Sequence, residues 1–258
     1  MSDYRLLSWN VNGLRAAGRK GFVDWAKKEK ADLLCLQETK AEPGQLDEGL
    51  RSIPGYAAEF VSAEKKGYSG VGIYSRKAPD SVERGMGKPE YDREGRVLAH
   101  RFPEFTLFNV YFPNGKARPE RLDYKMRFYR DFLKLLKARV RKGEKNLVVC
   151  GDVNTAHKEI DLARPKENSD VSGFLPQERA WIDELLDAGF IDTLRVFETG
   201  PGQYTWWDLI TRARERNVGW RIDYFFASEA LRSNLKKARI RPEVMGSDHC
   251  PVELELAF

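Results

Sequence analysis

Apolar residues along this chain fall in short runs separated by turn formers. Arg5–Trp9, Leu33–Leu36, Gly70–Tyr74, Phe105–Tyr111, Leu147–Cys150, Ile222–Phe226 and Val252–Leu256 have the length and branched or aromatic content of strands. Helical spacing appears between them. Gly21–Lys30 carries Phe22, Val23, Trp25 and Ala26. Pro119–Arg141 is longer: a proline stands at its first turn, and Leu122, Met126, Phe128, Tyr129, Phe132, Leu133, Leu136 and Val140 form its apolar stripe. Pro176–Leu186 carries Ala180, Trp181, Leu185 and Leu186. Strands mixed with helices predict an α/β class, either a sandwich or a doubly wound sheet. The last run alternates Val252, Leu254 and Leu256 with Glu253 and Glu255, which predicts one wet face. No linker-like, repeated or low-complexity stretch interrupts the 258 residues, so a single domain over 1–258 is expected.

The polar residues that follow or precede these runs narrow the chemistry. Asn10 and Asn12 follow the first, Glu38 the second, and Asp152 and Asn154 the fifth. Asp223 opens the sixth, and Asp248 and His249 stand just before the seventh. Taken singly, each reads as readily as a turn former or a helix cap. Taken together, they put carboxylates and amides from five segments at strand ends, where α/β folds assemble sites. Oxygen donors without soft partners suit Mg²⁺ or Mn²⁺. A divalent ion, an Asp that orients water and a His that stabilises charge make a phosphodiester hydrolysis site.

Composition excludes several classes. No stretch approaches the ~18 apolar residues of a membrane helix. The start, Met1-Ser2-Asp3-Tyr4, runs straight into a strand pattern without a signal peptide. Cys35, Cys150 and Cys250 are an odd, scattered set that reads as buried free thiols in a reducing cytoplasm. His100, His157 and His249 have no zinc spacing. The net charge of +5, from 44 basic and 39 acidic residues, permits a polyanionic partner without demanding one. Basic residues gather with aromatics at Lys65–Tyr68, at Lys116, Arg118 and Arg121, and from Gln203 to Arg221, which holds three of the six tryptophans. Such groups suit a nucleic-acid backbone with an unstacked sugar or base. They equally describe tryptophans in a core beneath a solvated arginine face.

The motifs Ser8–Arg15 (SWNVNGLR), Leu36–Lys40 (LQETK), Gly67–Val71 (GYSGV), Tyr111–Gly115 (YFPNG), Gly151–His157 (GDVNTAH), Asn217–Tyr224 (NVGWRIDY) and Gly246–Pro251 (GSDHCP) occur in one order along nearly the whole chain. In this the sequence resembles the exonuclease III family of apurinic/apyrimidinic endonucleases, within the endonuclease/exonuclease/phosphatase superfamily. The resemblance implies a four-layer α/β sandwich, two mixed β-sheets packed face to face with helices outside. It implies hydrolysis of the phosphodiester 5′ to an abasic site in double-stranded DNA, leaving a 3′-hydroxyl and a 5′-deoxyribose phosphate. Side activities would be 3′→5′ exonuclease and 3′-end cleaning, by a Mg²⁺-dependent monomer in the cytoplasm, with Mn²⁺ as a substitute.

Carried over by position, Glu38 is the main metal ligand with Asn10 beside it. Asp152, Asn154, Asp248 and His249 are further members of the ion site. Asp152 orients or deprotonates water, Asn154 holds Asp152 and the phosphate, and His249 donates to the phosphoryl oxygen. Asp223 fixes the His249 ring and Tyr111 contacts the scissile phosphate. Arg15, Tyr68, Asn114 and Lys116 grip DNA, while Trp206 and Trp220 wall the pocket for the flipped-out sugar. Trp9 and Trp181 stay in the core. Position 12 is Asn where some members have Asp, position 206 is Trp where others have Phe, and Ile210 stands where some carry a wedging Met. With no extension before the first strand, the redox and nuclear roles of longer relatives are not expected. A phosphoesterase for RNA or inositol phosphates, and a catalytically silent DNA-binding relative, are the competing readings.

Overall fold

The computed structural model describes residues 3–258. The first part of the chain holds β1 (Asp3–Asn10), α1 (Leu14–Arg19), α2 (Phe22–Glu29), β2 (Leu33–Gln37), α3 (Glu48–Arg51), β3 (Ala57–Val61) and β4 (Val71–Ser75). Next come β5 (Ser81–Arg84), α4 (Pro89–Asp92), β6 (Val97–Arg101), β7 (Thr106–Tyr111), α5 (Pro119–Arg141) and β8 (Leu147–Asp152). The remainder holds α6 (Pro176–Asp187), β9 (Phe190–Asp192), α7 (Thr193–Phe197), β10 (Trp206–Trp207), β11 (Gly219–Trp220), β12 (Asp223–Ser228), β13 (Leu235–Ile240) and β14 (Val252–Ala257).

Twelve strands make two six-stranded sheets, ordered β13-β14-β1-β2-β4-β3 and β5-β6-β7-β8-β12-β9, and β10 with β11 forms a separate ribbon. The two sheets share one internal plan. Each has a single parallel pair at its centre, β1 with β2 and β7 with β8, flanked on both sides by antiparallel neighbours.

The core explains why the apolar runs are nearly continuous. Alternate residues of each strand face either the other sheet or a helical layer. Leu6, Cys35 and Ile73 meet Leu107, Cys150 and Phe225 between the sheets. Leu7, Trp9 and Leu36 pack outward against Phe22 and Ala26 of α2. Phe108, Val149 and Phe226 pack outward against Phe128 and Phe132 of α5 and Ile182 of α6. Burying each of those two phenylalanines stabilises the layer by about 1.5–3 kcal/mol. The result is the four-layer α/β sandwich expected. The three cysteines are free and buried. Among the described residues no helix is long and apolar enough to cross a membrane.

The last strand departs from expectation. Glu253 does not face water; it is 1% exposed and takes charge-assisted hydrogen bonds from Arg5, Arg239 and Arg241. Three guanidinium groups from neighbouring segments replace the solvent that alternation alone predicts. They hold the Glu253 carboxyl down at about 2, overcoming the effect of burial, which works in the opposite direction.

Candidate active site

Strand direction decides where the polar residues meet. In the first sheet β1 and β2 run parallel with Asn10 paired to Gln37, so Asn10 and Glu38 leave the sheet at the same end. In the second sheet β7 and β8 run parallel with Tyr111 paired to Asp152. Strand β12 is antiparallel to β8 and starts where β8 finishes, which sets Asp223 opposite Asp152. Strand β14 is antiparallel to β1, so the Asp248–His249 segment before it arrives at the same rim. Glu38 (φ 53°) and Asn154 (φ 57°) adopt left-handed backbone as the chain turns out of its strand. Gly151, at φ 135°, lies so close to β7 that a Cβ would sit 1.9 Å from the Val110 carbonyl oxygen. Only glycine can therefore precede Asp152 in this packing.

The side chains interlock across the seam between the sheets. Asn10 Nδ2 donates to Glu38 Oε1 and to Asp152 Oδ2, each at 2.9 Å. Asp152 Oδ1 accepts from the Asn154 backbone N–H at 2.8 Å, and Asn154 Nδ2 donates to Asp152 Oδ2 at 3.2 Å. Asn114 Nδ2 donates to Asn154 Oδ1 at 2.9 Å. His249 Nδ1 donates to Asp223 Oδ2 at 2.8 Å, while Nε2 faces Asp152 Oδ2 at 3.9 Å. Trp9 Nε1 supports the His249 carbonyl from the core side at 3.1 Å. Thr205 Oγ1 accepts from the N–H groups of Ile222 and Asp223, fixing the start of β12.

Burial and charge set the protonation states. Burial, then the Asp223 charge, pushes the Asp152 carboxyl up to about 7, against the pull of His249. Burial alone would discharge His249; Asp223, then Asp152 and Asp248, outweigh it and raise the imidazole to about 10. The result is an imidazolium beside a carboxyl poised near neutrality. Glu38 is partly buried, which favours its neutral form, yet Lys40 and Asn10 hold it below the usual carboxylate range. The Lys40 ammonium stands 2.6 Å from Glu38 Oε2.

These groups open onto a pocket of about 230 Å³ that Glu38, Asp152, Asn154, Asp248 and His249 share with Asn114, Lys116, Trp206 and Trp220. The two tryptophans pair across the β10–β11 ribbon, edge to face, with ring centroids 6.5 Å apart. At Gly173 (φ 101°) an added Cβ would sit 3.3 Å from the Trp220 ring, so the residue behind that ring has no room for a side chain. The Lys116 ammonium lies 5.1 Å from the Trp206 ring and 5.0 Å from the Trp220 ring. An adjoining pocket of about 520 Å³ shares Asn114 and Lys116 and adds Tyr68, Arg96, Tyr111 and Arg121.

The structure thus gathers Asn10, Glu38, Asp152, Asn154, Asp223, Asp248 and His249 at one rim, with Asn114, Lys116, Trp206 and Trp220 around them. Tyr111 is buried on the wall of the adjoining pocket, its phenol pushed up by burial and then by the Glu38 charge. Tyr68 is in that adjoining pocket too, and Arg15 lies further out, on an exposed recess with Arg19 and Lys40. Trp9 and Trp181 are core.

Sequence reasoning passed over Lys40, although it stands inside the LQETK motif. It also passed over Arg96, which is 1% exposed. Arg96 donates to the Tyr111 carbonyl and the Tyr68 hydroxyl, and its guanidinium sits 4.7 Å from the Tyr111 ring centroid. A buried arginine has no signature distinguishing it from a surface one.

The donor set tests well for a hard divalent cation. Glu38 offers a charged carboxylate at an open pocket, and the lysine cation beside it holds the kind of charge the site attracts. Asp152, Asp223 and His249 also have ligand atoms within 4.8 Å of one another.

A model of the endonuclease/exonuclease/phosphatase family matches residues 7–249. The chain belongs to that family. The exodeoxyribonuclease of Bacillus subtilis is 45% identical over 252 residues, covering 97% of this chain and 98% of the relative. The DNA repair nuclease APEX1 of Danio rerio is 45% identical over 264 residues, 99% of this chain and 83% of the relative. Among solved structures, the AP endonuclease LMAP from Leishmania major superposes with a TM-score of 0.90 at 30% identity, covering 99% of this chain and 88% of that one. These relatives place the chain in the apurinic/apyrimidinic endonuclease and exodeoxyribonuclease branch of the family, a branch of metal-dependent DNA-repair nucleases.

Proposed function

We propose that this protein incises double-stranded DNA at abasic sites, hydrolysing the phosphodiester 5′ to the lesion to leave a 3′-hydroxyl and a 5′-deoxyribose phosphate. The observation that carries the reading is His249, charged by Asp223 and facing Asp152 across 3.9 Å, at the floor of a pocket walled by Trp206 and Trp220. Both groups line the pocket, so a phosphoryl group seated there meets an acid and a base side by side. Asp152, poised near neutral pH, orients water for in-line attack and takes its proton. The His249 Nε2–H donates to a non-bridging oxygen as negative charge builds there, and Asn154 and Tyr111 position the same group. Both ring nitrogens of the charged imidazole carry hydrogen, so with Nδ1 held by Asp223 the Nε2–H is free to donate to the phosphoryl group.

Glu38, with Asn10 next to it, would hold the divalent cation, Mg²⁺ in the cell and Mn²⁺ as a substitute. When bound, the ion supplies Lewis-acid neutralisation of phosphoryl charge. Asn114, Lys116, Tyr68 and Arg15 hold the sugar–phosphate backbone. The tryptophan pair offers an apolar recess without base-reading groups, which favours the nucleotide that costs least to unstack, one without a base. The same site, offered a 3′ end, supports 3′→5′ exonuclease and 3′-end cleaning. We place it as a single-domain monomer acting in the cytoplasm.

The test is a duplex with one synthetic abasic site, incubated with Mg²⁺ or with EDTA. A single incision 5′ to the lesion, abolished by EDTA, is expected. Tight binding without incision would favour a silent relative, and cleavage confined to RNA or inositol phosphates would favour another phosphoesterase.

A further inference from the structure

Asp248 lies next to His249 in sequence and faces the same pocket as Glu38, the place of an ion ligand. Its oxygens are otherwise engaged. Oδ1 accepts from Asn12 Nδ2 at 3.0 Å and from Ser247 Oγ at 3.1 Å, and Oδ2 accepts from Trp206 Nε1 at 3.0 Å. Its carbonyl accepts from the Trp207 N–H at 3.0 Å, so β10 is bonded to this residue through both backbone and side chain. Asn12 is held in turn by Lys40, whose ammonium donates to Asn12 Oδ1 at 2.5 Å while pairing with Glu38. A continuous line of polar contacts therefore runs Glu38–Lys40–Asn12–Asp248–Trp206.

The two carboxylates differ in what a cation must displace. At Glu38 it displaces the end of a flexible lysine side chain and supplies the same sign of charge. At Asp248 it must compete with an indole N–H on Oδ2 or with an amide and a hydroxyl on Oδ1, and the indole belongs to a two-residue strand that forms the pocket wall. The ring packs on the small cluster of Ala156, Leu162, Phe174 and Ile222, which is apolar and gives no direction to the indole edge. The bond to Asp248 and the edge-to-face contact with Trp220 supply that direction.

We propose that Asp248 is a positioning residue and not an ion ligand: it pins the Trp206 indole, and with it one wall of the pocket, to the loop that carries His249. This rests on the reading above that the tryptophan pair receives the abasic sugar. Asp248→Asn turns one acceptor into a donor, which then confronts the N–H of either Asn12 or Trp206. The Trp206→Phe change deletes the indole N–H and keeps an aromatic wall.

Mn²⁺ is titrated by calorimetry, with electron paramagnetic resonance of the free ion, into wild type, Glu38→Gln and Asp248→Asn without DNA. Glu38→Gln is expected to weaken Mn²⁺ binding by about tenfold or more, and Asp248→Asn by less than about twofold. On abasic duplex, Asp248→Asn and Trp206→Phe are each expected to raise KM by about tenfold with kcat lowered by less than about threefold, the scale of one lost hydrogen bond to a charged group. Since one acts through the other, the double variant costs no more than the worse single. An Mn²⁺ loss in Asp248→Asn matching that in Glu38→Gln, or additive costs in the double variant, overturns the proposal. If Asp248→Asn does not fold, Trp206→Phe carries the test alone, and an unchanged KM overturns it. Wild type inert on abasic DNA would defeat the functional reading, while the Mn²⁺ comparison still decides the role of Asp248.

Discussion

Asp223→Asn separates the two things Asp223 does for His249. The asparagine is the same size and keeps an oxygen for the Nδ1–H, so the ring stays oriented while the charge is lost. The wild-type imidazole is raised from 6.5 to about 10 despite burial. Asp223 is the foremost cause acting upward, and Asp152 and Asp248 contribute less. Removing its charge is therefore expected to bring the imidazole well below 10. The acid form of His249 is the active one, so activity is present below the imidazole pKa and lost above it. Single-turnover incision of an abasic duplex from pH 6 to 10.5 reads the change directly. Below pH 7 the base Asp152 limits the rate, and because the Asp223 charge raises it, the acid limb of the variant should move down and not up. At pH 9, where wild type is still largely protonated, the variant should have lost up to about tenfold, because far fewer molecules carry the proton. The pair also stabilises the fold: that contribution is complete below pH 6.5 and disappears as pH rises through about 10, and the variant lacks most of it throughout. An alkaline limb that stays near 10 in Asp223→Asn would refute the claim that Asp223 keeps His249 charged.

Two further outcomes follow from other buried groups. Asp152→Asn should lower kcat by about 10²–10⁴ while DNA affinity by fluorescence anisotropy holds, because the carboxylate acts on water and not on the duplex; near-normal turnover would remove its role. His100 is 1% exposed with neither ring nitrogen hydrogen-bonded, and burial, with Arg84 nearby, pushes it down to about 4. The unfolded chain takes up a proton there first, so between pH 7 and pH 5 wild type should lose about 2 kcal/mol that His100→Leu does not lose. Urea unfolding at the two pH values measures this, and equal losses would contradict it.

The legible parts of the molecule are those governed by local pattern. Pro119–Arg141 is recovered residue for residue, because a proline start and a long apolar stripe leave one solution. The seven apolar runs are all strands in the structure. Strands such as Ala57–Val61, Ser81–Arg84 and Leu235–Ile240 were not visible: they are at or next to sheet edges, half-wet and rich in charge, and neighbours decide their pairing. The site follows the same division. Asn10, Glu38, Asp152, Asp223 and His249 announced themselves by standing at strand ends. The engagement of Asp248 by Trp206, and the grip of Arg96 on Tyr111, connect residues far apart in sequence. No spacing rule encodes such pairs. The wet face predicted for the last strand failed at Glu253 for the same reason, since the arginines around it come from elsewhere in the chain, while Glu255 stays partly exposed.

The amide of Asn10 gives its two hydrogens to carboxylates that belong to different sheets, Glu38 on one and Asp152 on the other. Neither half of the sandwich owns the chemistry. A fragment containing one sheet, however well folded, holds only part of the reacting set. A circular permutant or a split pair of fragments must rebuild the seam to within a hydrogen-bond length before any turnover returns. Nuclease activity in this protein is thus a gauge of its own assembly.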